Sequence, residues 1–161
     1  MSLTNRGNPA AQYAAVNVYT AQQMASPHRI VQMLMEGALQ CINNAKREML
    51  AKHIGPKCEH VSRAMDIVQA LRRALDHSVG GQIASNLDAL YEYMELQLFK
   101  ANVANDPAML DEVYKLLNTV KQGWDAIPEQ HRNATAEQLQ QSAAAVSAAG
   151  TAKATGTNGK P

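Results

Sequence analysis

The stretch Asn86–Phe99, "NLDALYEYMELQLF", holds nine apolar residues in fourteen when Ala and Tyr are counted. At helical spacing Leu87, Leu90, Tyr91, Met94 and Leu98 already make one full stripe. Tyr93, Leu96 and Phe99 point away from it, and Val103 extends that second side. A helix that only seals a core needs one apolar face. Two arrangements account for the surplus: a central helix packed on both sides by its own neighbours, or a helix that keeps one face for another molecule. Composition leaves both open.

The rest of the chain provides neighbours for the first face. With 161 residues, 46% of them hydrophobic but only 4% aromatic, the chain is rich in Ala, Leu, Met, Gln and Glu and sparse in Val and Ile. That balance favours helix throughout. "ASPHRIVQML" marks a helix start, with Ser26 as N-cap and Pro27 in the first turn, although Arg29 breaks the capping box. The first helix is expected to run to about Ala51, burying Ile30, Val31, Leu34, Ala38, Ile42, Ala45 and Met49. Gly37 inside it implies close approach of a neighbouring backbone. "KHIGPK" reads as a turn. A second helix follows over about Lys57–Val79, with Val61, Met65, Val68, Leu71 and Leu75 on one face and Gly80–Gly81 as its stop. The third is expected over Gln82–Ala104. In "NDP", Asp106 caps and Pro107 opens a fourth helix that reaches about Ala126 before Pro128, with Leu110, Val113, Leu117, Val120 and Trp124 inward.

Helices of this length joined by short loops predict an all-α, antiparallel up-down four-helix bundle over residues 26–128. Residues 1–25 read as a mobile N-terminal segment. Residues 129–161, rich in Ala, Ser, Thr and Gly, are expected to be mostly disordered, lacking the apolar area that offsets ordering entropy. Tyr13, Val16, Val18 and Tyr19 are apolar residues without a bundle helix of their own, and a segment that covers a groove until a partner arrives would explain them.

No arrangement of residues points to catalysis. Asp76, His77 and Ser78 are sequence neighbours whose side chains splay by about 100° on a helix and do not converge. Cys58, Glu59 and His60 splay in the same way. No His pair at i, i+4 and no Glu-x-x-His motif indicates a metal, and no glycine-rich phosphate loop precedes a Lys-Ser/Thr pair. No cofactor is expected. The net charge of +1, with scattered Lys and Arg, gives no footprint for nucleic acid. No apolar run is long enough to span a membrane, and no polar face is basic enough to lie on one. Cys41 and Cys58 fall on consecutive antiparallel helices at unequal distances from the turn, so no disulfide is expected, and free thiols fit a reducing cytosol.

Two longer stretches, "YAAVNVYTAQQMASPHRIVQMLMEGAL" and "LDHSVGGQIASNLDALYEYMELQLFKANVANDPAMLDEVYKLLNTVKQGW", resemble the flagellar secretion chaperones, the FliS family. The similarity covers Tyr13–Trp124. Its markers are the Ala-Ser-Pro helix start, Gly37 in "MLMEGA", the "GGQIASNLDALYEYM" run from Gly80, the "ANVAND" spacing and the closing Trp124. Met35 and Glu36 depart from relatives that carry an aromatic and an Asp before the glycine.

The resemblance implies a cytosolic, non-enzymatic export chaperone. It would bind the disordered C-terminal region of flagellin, prevent premature polymerisation and deliver flagellin to the flagellar type III export apparatus. Several members of the family also contact the flagellar anti-sigma factor. Carried onto this sequence, the resemblance puts Tyr13 near the partner groove and matches Asn86, Leu87, Leu90, Tyr91 and Tyr93 to the signature of the third helix. With Val16, Leu96, Phe99 and Val103 from the apolar pattern, these form the expected partner-binding set. The alternative is a helical-bundle adaptor that self-associates through its apolar faces.

Overall fold

Ser26 accepts a hydrogen bond from the backbone N–H of Arg29 at 3.2 Å, and Pro27 occupies the first turn. From there a computed structural model describes residues 26–132. Residues 1–25, Tyr13 and Val16 among them, and residues 133–161, for which the sequence predicts a mobile segment and a mostly disordered tail, lie outside the described residues. Four long helices follow: α1 Pro27–Leu50, α2 Ile54–Arg73, α3 His77–Ala104 and α4 Pro107–Asp125. A single further turn, α5 Glu129–Arg132, was not anticipated.

α1 packs on α2 and α4, and α3 packs on the same two helices. With loops of a few residues between consecutive helices, this is the antiparallel up-down four-helix bundle. Its centre is filled by Met35, Ile42, Val61, Val68, Met94, Leu98, Leu110, Val113 and Leu117, all fully enclosed. Ala38, Ala45, Ala64 and Ala101 are equally buried and let the helix backbones come close.

The α1–α2 connection is shorter than expected. Lys52 takes a left-handed conformation at φ 60°. Its N–H donates to Met49 O at 3.1 Å and the His53 N–H donates to Glu48 O at 2.9 Å, the double bond of a Schellman cap. Pro56 falls in the first turn of α2, where a missing N–H costs nothing. "IGPK" is therefore helix rather than loop.

The second boundary is also displaced. α2 ends at Arg73, and Gly80–Gly81 does not stop it. Asp76 instead caps α3 by accepting from the Ser78 and Val79 N–H groups at 2.9 and 3.3 Å. The Ser78 hydroxyl, which also donates to Asp76, and then these backbone bonds hold its carboxyl below the usual Asp range. Gly81, at φ 49° and ψ −124°, breaks α3 after one turn, and the regular part begins at Gln82 as predicted. Only the α3–α4 boundary matches throughout: Asn105 is left-handed at φ 52° and Asp106 caps α4 by accepting from the Ala108 N–H at 2.9 Å.

Two further expectations are corrected. Ile30 is 48% exposed rather than buried, because the first turn of α1 packs inward through His28, and Ile30, two residues on, lies about 200° around the helix from it. A Cβ on Gly37 would meet only the tip of the Ile67 side chain, 3.6 Å away. No backbone crowds it.

Polar contacts link neighbouring helices. Lys57, 3% exposed, donates from Nζ to the Asn102 carbonyl at 2.9 Å and to Asn105 Oδ1, placing a cation at the negative end of α3. Lys46 bridges α1 to Asp111 of α4 at 2.7 and 2.8 Å. Cys41 is buried and Cys58 half-buried, both as free thiols. Burial pushes the Cys41 thiol up, with Arg63 opposing.

Candidate partner-binding face

The bundle settles which side of α3 faces inward. Ala84, Tyr91, Met94, Leu98 and Ala101 are enclosed, while Leu87 and Leu90 are half-buried against the core. On the other side Tyr93 is 41% exposed, Leu96 49%, Phe99 56% and Val103 68%. α3 has neighbours on two flanks, and its second apolar face is left uncovered by the described residues. From Tyr93 to Val103 the stripe runs about 15 Å along the helix at about 1.5 Å per residue.

The flank toward α4 is held rigid. Tyr93 donates its hydroxyl to Glu112 Oε1 at 2.6 Å. Gln97 Nε2 donates to Tyr93 Oη at 2.8 Å and to Glu112 Oε2 at 3.0 Å. The Glu112 carboxylate, with some desolvation, raises the Tyr93 phenol above its ordinary range. Tyr93 thus exposes its ring, while the hydroxyl is engaged by Glu112.

Two other expected residues sit differently. Tyr91 is 2% exposed and belongs to the core: it follows Leu87 by four residues on the inward side, and burial pushes its phenol up to about 12. Asn86 is exposed, and its Oδ1 accepts from Gln82 Nε2 at 2.9 Å. The structure therefore brings Tyr93, Leu96, Phe99 and Val103 together on one surface, while Leu87 and Leu90 pack against the core.

Sequence reasoning missed the residue that closes the bundle. His28, 5% exposed, stacks on Trp124 with ring centroids 5.0 Å apart and planes within 9°. The only prior signal was its place directly after the Ser-Pro helix start.

Among the described residues no three His, Cys, Asp or Glu side chains come together as a metal site, and no helix is long and apolar enough to cross a membrane.

The family profile of the flagellar protein FliS matches residues 9–131. The chain belongs to the FliS family. It is 42% identical over 127 residues to a flagellar secretion chaperone FliS of Vibrio cholerae, covering 79% of this chain and 93% of that one. To the flagellar secretion chaperone FliSB of Pseudomonas aeruginosa it is 44% identical over 116 residues, 72% of this chain and 92% of that one. A Salmonella typhimurium FliS is 37% identical over 116 residues, 71% and 86% of the two chains. The described bundle thus falls within the FliS match, and the exposed stripe on α3 is a surface of a FliS-family protein.

Proposed function

We propose that the protein is a cytosolic export chaperone that binds the disordered C-terminal region of flagellin, blocks its premature polymerisation and delivers it to the flagellar type III export apparatus. The observation that carries this reading is the uncovered stripe of Tyr93, Leu96, Phe99 and Val103 on α3, within a chain whose relatives are named flagellar secretion chaperones.

A segment that folds as it binds loses about 2–5 kcal/mol of its interaction energy to ordering. It therefore needs a long apolar interface, and a bundle helix with a free face provides one in the helix-in-groove mode. Asn86, two turns before Tyr93 on α3, offers its amide N–H groups to the partner backbone. In this reading Tyr13 and Val16 belong to an N-terminal segment that covers the stripe until flagellin displaces it. The flagellar anti-sigma factor is a second protein partner, and no covalent step is assigned to the chain.

The test is calorimetric titration of the full chain with a peptide spanning roughly the last forty residues of flagellin, alongside circular dichroism of the mixture. Saturable binding with a gain of helix in the peptide supports the reading. Absence of binding, together with concentration-dependent self-association in sedimentation, would replace it with the adaptor that pairs through its own apolar faces.

A further inference from the structure

The α4 edge of the exposed stripe carries a closed set of hydrogen bonds that spans two helices. Tyr93 Oη donates to Glu112 Oε1 at 2.6 Å. Gln97 Nε2 donates to Tyr93 Oη at 2.8 Å and to Glu112 Oε2 at 3.0 Å. The phenol's one proton and both carboxylate oxygens are therefore engaged within the chain. The charges along the α2 edge are engaged in a similar way: Arg72 donates to Asp88 at 2.7 Å and stands 3.5 Å from Glu92. Between these edges Leu96, Phe99 and Val103 expose side chains of carbon alone.

The three bonds of this set lie at the surface, where water competes for every partner and each bond contributes little to folding. Their weight changes once a bound segment covers Tyr93. A phenol proton shut off from water needs an acceptor already in place, or the complex carries the cost of an unmade hydrogen bond. Glu112 supplies that acceptor from the neighbouring helix before any partner arrives. A helical tyrosine has two χ1 wells open to it, and the bond to Glu112 holds Tyr93 in the one that reaches α4. Less side-chain freedom is then lost on binding.

We infer that Glu112 is a positioning residue of the binding face: it takes up the Tyr93 hydroxyl, so that the ring meets the bound segment as apolar surface. The inference rests on the partner-binding reading above. It gives α4 a part in recognition although the exposed stripe itself lies wholly on α3. An exposed tyrosine on a binding face ordinarily reads as a hydrogen-bond donor to the partner. Here the hydroxyl is kept from the partner, and the partner is met by the ring. Tyr93→Phe is then a nearly silent change, whereas loss of the Glu112 acceptor is a costly one.

The test is a double-mutant cycle, read by calorimetric titration of the full chain with the flagellin C-terminal peptide and by thermal unfolding of every variant. Glu112→Ala is expected to weaken binding about tenfold and to leave the unfolding midpoint unchanged. Glu112→Gln, whose amide oxygen still accepts from the phenol, should bind like the wild type. Tyr93→Phe should stay within about twofold of the wild type. Adding Glu112→Ala to Tyr93→Phe should cost nothing more, the coupling expected when one residue acts through the other. The positioning role is overturned if Glu112→Ala binds like the wild type. It is equally overturned if the loss persists in the combined variant, because the carboxylate then touches the peptide directly. A loss of about tenfold with Tyr93→Phe alone would make the hydroxyl a partner contact and overturn it as well. Phe99→Ala separates the two levels. Loss with Phe99→Ala but not with Glu112→Ala removes the positioning role and keeps the partner reading, whereas an unbound peptide on the wild-type chain removes both.

Discussion

His28 and Trp124 are joined twice, each through the other's backbone. Trp124 Nε1 donates to the His28 carbonyl at 3.0 Å, and His28 Nε2 donates to the Trp124 carbonyl at 2.9 Å. The first turn of α1 is thereby clasped to the last turn of α4, and beside it Gln32 Nε2 and Lys121 Nζ donate to Asp125 at 2.7 and 2.6 Å. Replacing Trp124 by Ala removes the stacked ring and the Nε1 donor, while the carbonyl of residue 124 stays available to His28. Urea unfolding should show a loss of about 3 kcal/mol, and a loss below about 1 kcal/mol would mean that the clasp contributes little.

Gly37 is a helix-interior glycine that nothing in its surroundings requires. Gly37→Ala puts a methyl into ordinary contact with Ile67 Cδ1 at 3.6 Å and should raise stability by about 1 kcal/mol. Thermal denaturation decides the sign.

Gly81 and Lys52 make the opposite pair. Both have positive φ, 49° and 60°, and only one is glycine. Gly81→Ala should cost about 1–2 kcal/mol, and Lys52→Gly should relieve a similar strain. Chemical denaturation of the two variants, scored as midpoint shifts of opposite direction, checks this.

Stability should fall on both sides of neutral pH. Burial pushes the Tyr91 phenol up to about 12, against about 10 in an unfolded chain. Below pH 10 both states keep the proton and stability is full. Between pH 10 and 12 only the unfolded chain releases it, so stability declines by roughly 2–3 kcal/mol. Tyr91→Phe should flatten that alkaline decline. On the acid side, hydrogen bonds from Arg72 hold Asp88 below its usual range, as Lys121 and then Gln32 do for Asp125. Their contribution is present above about pH 4 and is lost as pH falls through the depressed values. Melting temperatures measured from pH 3 to pH 11 test both limbs.

The uncovered stripe should separate binding from folding. Phe99→Asp changes an exposed residue and should leave the unfolding midpoint within about 0.5 kcal/mol of the wild type, while weakening flagellin-peptide binding at least tenfold. A variant that unfolds early would place Phe99 in the core instead.

The four-helix bundle is legible from local signals along the chain. Hydrophobic period and the Ser26-Pro27 and Asp106-Pro107 starts are local signals, decided within a turn or two of chain. Where two local signals competed, sequence reading placed the boundary wrongly. Gly80–Gly81 looked like a stop, yet the Asp76 carboxylate captured the Ser78 and Val79 N–H groups first. Only the tertiary structure decided which face of α3 is covered, that Lys57 and His28 turn inward, and that the Tyr93 hydroxyl is held by Glu112. Burial depends on where neighbouring helices lie, and periodicity reports that a face is apolar without reporting what stands against it.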